Sequence, residues 1–163
     1  MKNNELTFDQ LYHTYWEGVY RFAFGYVNNS DWAKDIAQET FICVWNQLST
    51  FRGEAQVKTW IFKIAVNICL RQIERSKKVV ADEEKILKHN ILEEEEYREA
   101  DTSKLFQAIS ELSELNRIII SLTLEGVEQK EIATITGISH ANIRTRVHRI
   151  KEELYNKMNS YGK

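Results

Sequence analysis

Apolar residues return at steps of three and four along most of the chain, the spacing that puts one face of an α-helix into a core. Leu11, Tyr15, Val19, Phe22 and Tyr26 form the first such stripe. Asn28, Asn29 and Ser30 interrupt it, and Ser30 is placed to cap a second helix with Ala33, Ile36, Ala37, Thr40, Phe41, Val44 and Leu48 inward. Phe51-Arg52-Gly53 ends that helix. A third, from about residue 57 to 76, turns Ile61, Ile64, Ala65, Ile68 and Ile73 inward and keeps Lys58, Lys63, Arg71, Arg75, Lys77 and Lys78 outside that set.

The pattern resumes with Leu105, Ala108, Ile109 and Leu112, then with Leu115, Ile118, Ile119, Leu122 and Leu124, which predicts two further helices before a break at Glu125-Gly126. A short helix over residues 128–136 follows. Gly137-Ile138-Ser139 separates it from a long last helix whose inward stripe is Ile143, Val147, Ile150 and Leu154. A short helix, a glycine turn and a long helix are the parts of a helix-turn-helix.

Composition agrees with an all-α fold. The 163 residues include no proline and only six glycines, so the punctuation of hairpins and sandwiches is missing. With 43% hydrophobic and 28% charged residues the chain can form a core. Two cysteines, Cys43 and Cys69, cannot make a dense disulfide framework, and a reducing compartment is expected. The N-terminus is polar, and no apolar run approaches the roughly 18 residues of a membrane span, so a cytoplasmic protein without direct membrane insertion is expected.

Charge divides the chain into three. Residues 1–78 hold ten Lys/Arg against eight Asp/Glu, residues 79–101 three against nine, and residues 102–163 nine against seven, within a net charge of -2. Two small helical domains, 1–78 and 102–163, are therefore expected on either side of an acidic linker, 79–101. The linker reads equally as a solvated helix, through Ile86, Leu87, Ile91 and Leu92, or as a flexible tether.

The last helix carries the most specific chemistry. No acidic residue stands between Ile132 and Lys151, while Arg144, Arg146, Arg149 and Lys151 accompany His140 and His148. At 100° per residue Arg144, Thr145, His148 and Arg149 fall opposite Ile143, Val147 and Ile150, with Arg146 on a flank. Such a face fits a major groove, where arginine can bind guanine edges bidentately and Arg146, Lys151 and the helix N-terminus can hold phosphates. The alternative is a basic helix end that complements the macrodipole.

The third helix mixes cations with Trp60 and Phe62, as a single-strand track requires, although Trp60 reads more readily as core than as a base platform. On the second helix Asp35 and Glu39 could ligate a metal, but no histidine stands four residues away, and a partner-binding face fits better. No His-Glu-x-x-His, Cys-x-x-Cys, phosphate-cradling glycine loop or G-x-S-x-G occurs, so neither a cofactor nor catalysis is expected.

Three segments together resemble the extracytoplasmic-function (ECF) group of bacterial RNA polymerase sigma factors. Residues 31–41 followed by Trp45 resemble its polymerase-binding helix. Phe51-Arg52-Gly53 with residues 58–67 resembles its promoter-opening loop and helix, and residues 131–133, 137–139 and 143–149 resemble its fourth-region helix-turn-helix. The resemblance implies a transcription-initiation factor that binds core RNA polymerase through Asp31, Asp35, Gln38 and Glu39. It implies that Asn67 holds a flipped base of the single-stranded non-template strand at the minus-ten element, with Lys58, Lys63, Arg71 and Arg75 beside the strand. Arg144, Thr145, Arg146, His148 and Arg149 would meet the duplex at the minus-thirty-five element. It also implies an anti-sigma factor partner that occludes the polymerase-binding surfaces.

Overall fold

The computed structural model describes residues 6–80 and 100–161, which hold α-helix and a single 3-10 turn, Leu48–Thr50, and no strand. The helices are α1 (Phe8–Val27), α2 (Ser30–Gln47), α3 (Val57–Val80), α4 (Ala100–Ser110), α5 (Glu114–Leu124), α6 (Gln129–Thr136) and α7 (His140–Ser160). Whether residues 81–99 form a helix or a tether lies outside the described residues.

Local chemistry sets the helix ends. Thr7 and Gln10 close a capping box at α1: each side chain accepts the other's backbone N–H, at 3.3 and 3.2 Å. Asn28 ends α1 in the left-handed region at φ 50°, a conformation asparagine tolerates, and donates its N–H to Phe24 O at 2.8 Å. Ser30 is not the cap of α2 that the sequence suggested. Asn29 takes that position with an extended backbone, and its Oδ1 accepts the Trp32 N–H at 2.8 Å. Ser30 is the first helical residue, and its hydroxyl lies 3.0 Å from Tyr20 Oη. Two adjacent asparagines thus close one helix and open the next.

The first lobe packs α1 against α2 and both against α3; the second gathers α4, α5 and α6 around α7. Val19, Phe22, Ala23, Ile36, Ala37, Val44, Ile61 and Ala65 are fully buried in the first lobe, and Ala108, Ile109, Ile119, Leu122, Ile132 and Ile143 in the second. The lobes do not stand apart: α1 packs on α4 and α5, α3 touches α6, and the buried apolar residues form one continuous cluster. This explains where the single-stripe reading falls short. Of the predicted α3 stripe Ile61, Ala65 and Ile68 are buried and Ile64 and Ile73 half-buried, while Phe62, Val66 and Cys69 are buried outside it, and Ile120 and Ser121 are buried on α5 off its stripe. Each of these helices is covered on two sides. Leu124, by contrast, is half exposed at the end of α5.

Candidate nucleic-acid and partner interfaces

The helix-turn-helix forms as the glycine turn requires. Gly137 takes φ 74° after α6 and donates its N–H to Ala133 O at 2.9 Å, a conformation that a Cβ would strain. Ser139 then caps α7, its Oγ accepting the Asn142 N–H at 3.3 Å. Burial of Ile143, Val147, Ile150 and Leu154 fixes the rotation of α7, so Arg144, Thr145, His148 and Arg149 all stand exposed on the other side. Arg146 differs. It is half-buried, donating from Nε to Asn142 Oδ1 at 3.1 Å and from Nη1 to Asn116 Oδ1 at 3.3 Å, and so ties α7 to α5. His148 Nδ1 lies 3.9 Å from Glu152 one turn on.

On α3, Lys63, Asn67, Arg71 and Arg75 recur every four residues and are all exposed, forming one row along the helix. Asn67 and Arg71 line a cleft of about 500 Å³ between α2 and α3, together with Cys43, Gln47, Ile64 and Glu74. Lys58 stands apart from the row, half-buried near the start of α3. Trp60 is half-buried, packs against the core and stacks on Phe51 with ring centroids 4.6 Å apart, so it anchors the loop between α2 and α3. At the next buried turn, burial pushes the Cys69 thiol pKa far up and keeps it uncharged.

Asp31, Asp35 and Gln38 are exposed on one face of α2. Glu39 is turned toward α3. Its carboxylate accepts Gln72 Nε2 at 2.6 Å and lies 4.0 Å from Arg71 Nη2, while Gln72 Oε1 accepts the indole N–H of Trp32. A polar relay therefore joins the carboxylate face of α2 to the cationic row of α3. The site-residue reading missed the apolar half of the α2 face. Trp45 is 65% and Ile42 60% exposed, and with Phe8, Tyr12, Trp16 and Phe41 they line a groove of about 340 Å³. Trp45 meets Phe8 edge to face at 5.1 Å, and Tyr12 stacks on Trp16 at 5.1 Å. The signal was present in sequence, since Trp45 stands seven residues beyond Gln38 and thus on the same helical face.

Among the described residues no group of three or more His, Cys, Asp or Glu side chains is arranged to hold a metal ion, and no helix is long and apolar enough to cross a membrane. The surfaces are fitted for contact: a cationic helix face, a cleft beside an amide, and an aromatic groove beside carboxylates.

Comparison with known proteins identifies relatives of both lobes. The family model "Sigma-70 region 2" matches residues 11–79 and "Sigma-70, region 4" matches residues 102–154. The RNA polymerase sigma factor SigV of Bacillus subtilis is 35% identical over 135 residues, 82% of this chain and 80% of its own length. The ECF RNA polymerase sigma-E factor of Escherichia coli is 28% identical, across 96% of this chain and 89% of its own. Among solved structures, the sigma factor RpoE in complex with the anti-sigma factor NepR, from Bartonella quintana, shares the fold with a TM-score of 0.82. It is 23% identical and covers 93% of this chain and 96% of its own. CnrH in complex with the cytosolic domain of CnrY has a TM-score of 0.68 at 21% identity, covering 97% and 91%.

Proposed function

The chain belongs to the extracytoplasmic-function sigma factors of bacterial RNA polymerase, and from that premise we propose how its surfaces divide the work of transcription initiation. The protein binds core RNA polymerase and promoter DNA and acts at initiation. Residues 1–78 are the region-two domain, 79–101 the acidic linker and 102–163 the region-four domain. Asp31, Asp35, Gln38 and Glu39 dock on core polymerase, and the aromatic groove beside them adds apolar contact area.

Arg144, Thr145, His148 and Arg149 read the minus-thirty-five element from the major groove, where a bidentate arginine-guanine pair discriminates by about 1–3 kcal/mol. Arg146 meets phosphate with whatever hydrogen-bonding capacity its bonds to Asn116 and Asn142 leave. On α3, Asn67 receives a flipped base of the non-template strand in the cleft between α2 and α3. Lys58, Lys63, Arg71 and Arg75 hold the strand's backbone. Unstacking a base costs a few kcal/mol, which such contacts offset, so the work is done by binding energy and not by bond chemistry of the chain's own. The setting is the cytoplasm. An anti-sigma factor, of the kind in complex with the Bartonella quintana relative, is the expected inhibitory partner.

The observation that carries this reading is the pairing of an exposed, cationic α7 face, without an acidic residue before Glu152, with an amide-lined cleft on the other lobe. Run-off transcription with purified core polymerase tests it: the chain should confer initiation at promoters with both elements. Binding to duplex DNA without polymerase association would show a simple helix-turn-helix regulator instead.

A further inference from the structure

Arg146 is the one arginine of α7 that is half-buried, and two helices hold it. Its guanidinium donates from Nε to Asn142 Oδ1 at 3.1 Å and from Nη1 to Asn116 Oδ1 at 3.3 Å. Each asparagine is the third residue of a serine-capped helix. Asn142 follows Ser139 at the start of α7, and Asn116 follows Ser113 at the start of α5. In both turns the serine Oγ accepts the asparagine N–H, at 3.3 Å. Two Ser-x-x-Asn turns, one from each helix, thus converge on a single cation, and the caps fix the backbone from which each amide reaches it.

The donor inventory sets the sense of the cluster. A guanidinium has no acceptor, so each asparagine turns its oxygen toward Arg146 and its NH2 away. Both hydrogens of Nη2 and the second hydrogen of Nη1 are left over, and the cluster offers N–H groups to whatever lies against it. The partners are also neutral. Where a carboxylate grips an arginine, as Glu125 grips Arg21 with bonds of 2.9 and 3.0 Å, the positive charge is compensated. Two amide oxygens orient Arg146 and leave its charge intact. A half-buried cation so placed has lost hydration without gaining a counter-charge, and an anion would supply both.

Position says which anion. Burial of Ile143, Val147 and Ile150 puts Arg144, Thr145, His148 and Arg149 on the exposed side and leaves Arg146 on the flank that faces α5. The flank of a helix lying in a major groove runs along a sugar-phosphate rim, where a contact fixes register and reads no base.

Resting on the duplex-reading role proposed for α7, we infer that Asn116 and Asn142 are positioning residues that hold Arg146, oriented and uncompensated, for one phosphate of the upstream duplex. The register of α7 on DNA is then set in part from α5, outside the helix-turn-helix itself. Orientation in advance spares the rotamer freedom that a long exposed arginine loses when it binds, so Arg146 supplies more affinity than a loose cation on the same flank.

Asn116 is the residue to change, because it stands on neither helix of the motif. Holoenzyme assembled from this chain and core polymerase is titrated with duplex carrying the upstream element over a range of salt concentrations, and thermal unfolding of each variant is followed alongside. Asn116→Ala frees the guanidinium and should weaken binding about fivefold, on matched and mismatched duplex alike, as loss of one hydrogen bond would. Asn116→Asp keeps an oxygen against Arg146 but adds the charge that compensates it. This variant should bind more weakly than Asn116→Ala, with a log-log salt slope shallower by about one, and should unfold no earlier than the native chain. A tie that served the fold alone would give the opposite order, since aspartate holds an arginine at least as well as asparagine does. With Arg146→Ala already in place, Asn116→Ala should bring no further loss. Native-like binding by Asn116→Asp, or full additivity of Asn116→Ala with Arg146→Ala, would overturn the inference, while binding by the native holoenzyme would leave the reading of α7 standing. If the native holoenzyme itself did not bind the upstream element, both would fall.

Discussion

The two lobes present opposite kinds of surface. In the second lobe the residues proposed to meet DNA stand on the side of α7 away from a stripe of four buried aliphatic residues, and Arg144 and Arg149 are exposed. In the first lobe they border recesses and a cross-helix network: Glu39 is held by Gln72 and faces Arg71, the exposed Asn67 lines a cleft, and an aromatic groove flanks the carboxylates. A protruding helix face suits a rigid duplex whose base edges are already presented. Clefts and grooves suit ligands that must be extruded or wrapped, as a displaced base is. The contrast also separates what each lobe needs to keep working, namely helix orientation in the second and a cross-helix network in the first.

The largest expected effect attacks that orientation. Ile143 is fully buried beneath α7, and Ile143→Ala should cost about 2–5 kcal/mol in denaturant unfolding and abolish duplex binding with it. If binding survived, α7 would not depend on its stripe and the comparison would fail. Trp45→Ala should do the reverse. Because Trp45 is mostly exposed, stability should barely change, while affinity for core polymerase falls by about 2 kcal/mol or more, the range of an aromatic hot spot, in a titration with labelled protein.

Arg149→Ala should cost about 1–3 kcal/mol on duplex carrying the upstream element and reduce discrimination there. Equal weakening on every sequence would reassign Arg149 to phosphate. Ser139→Ala removes the cap of α7 and should cost about 1 kcal/mol of stability, with a smaller loss of duplex affinity than Arg149→Ala. The smallest effect is one of pH. Lys157 and Tyr161 both donate to Glu111, at 3.1 and 2.9 Å, and hold its carboxyl below the ordinary 4.5. A depressed carboxyl stabilises the fold above its unfolded pKa, and that contribution disappears as pH falls through the folded value. Glu111→Gln should therefore flatten a slight acid-limb dependence of thermal stability and leave neutral-pH DNA binding unchanged.

Much of the second lobe was legible in sequence because its information is local. The α7 stripe, the Gly137 turn and the Ser139 cap all follow from residues within a few positions of one another. Where the first lobe depends on distant partners, periodicity has nothing to read. Glu39 and Gln72 are separated by 33 positions and Arg21 and Glu125 by 104, and no spacing rule relates them. The same limit explains Arg146, which looks like a flank cation until Asn116, 30 positions away, takes up one of its N–H groups. The burial of Ser121 needs the other lobe to be in place. The cap of α2 failed for a different reason: Asn29 and Ser30 are both good caps, and the left-handed Asn28 before them decides which one is reached first.

The row on α3 also sets a scale. At about 1.5 Å of rise per residue, side chains four positions apart are spaced by about 6 Å along the helix, whereas stacked nucleotides of one strand advance by about 3.4 Å. A strand that met Lys63, Asn67, Arg71 and Arg75 in turn, one nucleotide to each, would have to be drawn out to nearly twice its stacked pitch. For the strand proposed to lie there, such a row would be a ruler too coarse for stacked DNA and in step only with stretched DNA.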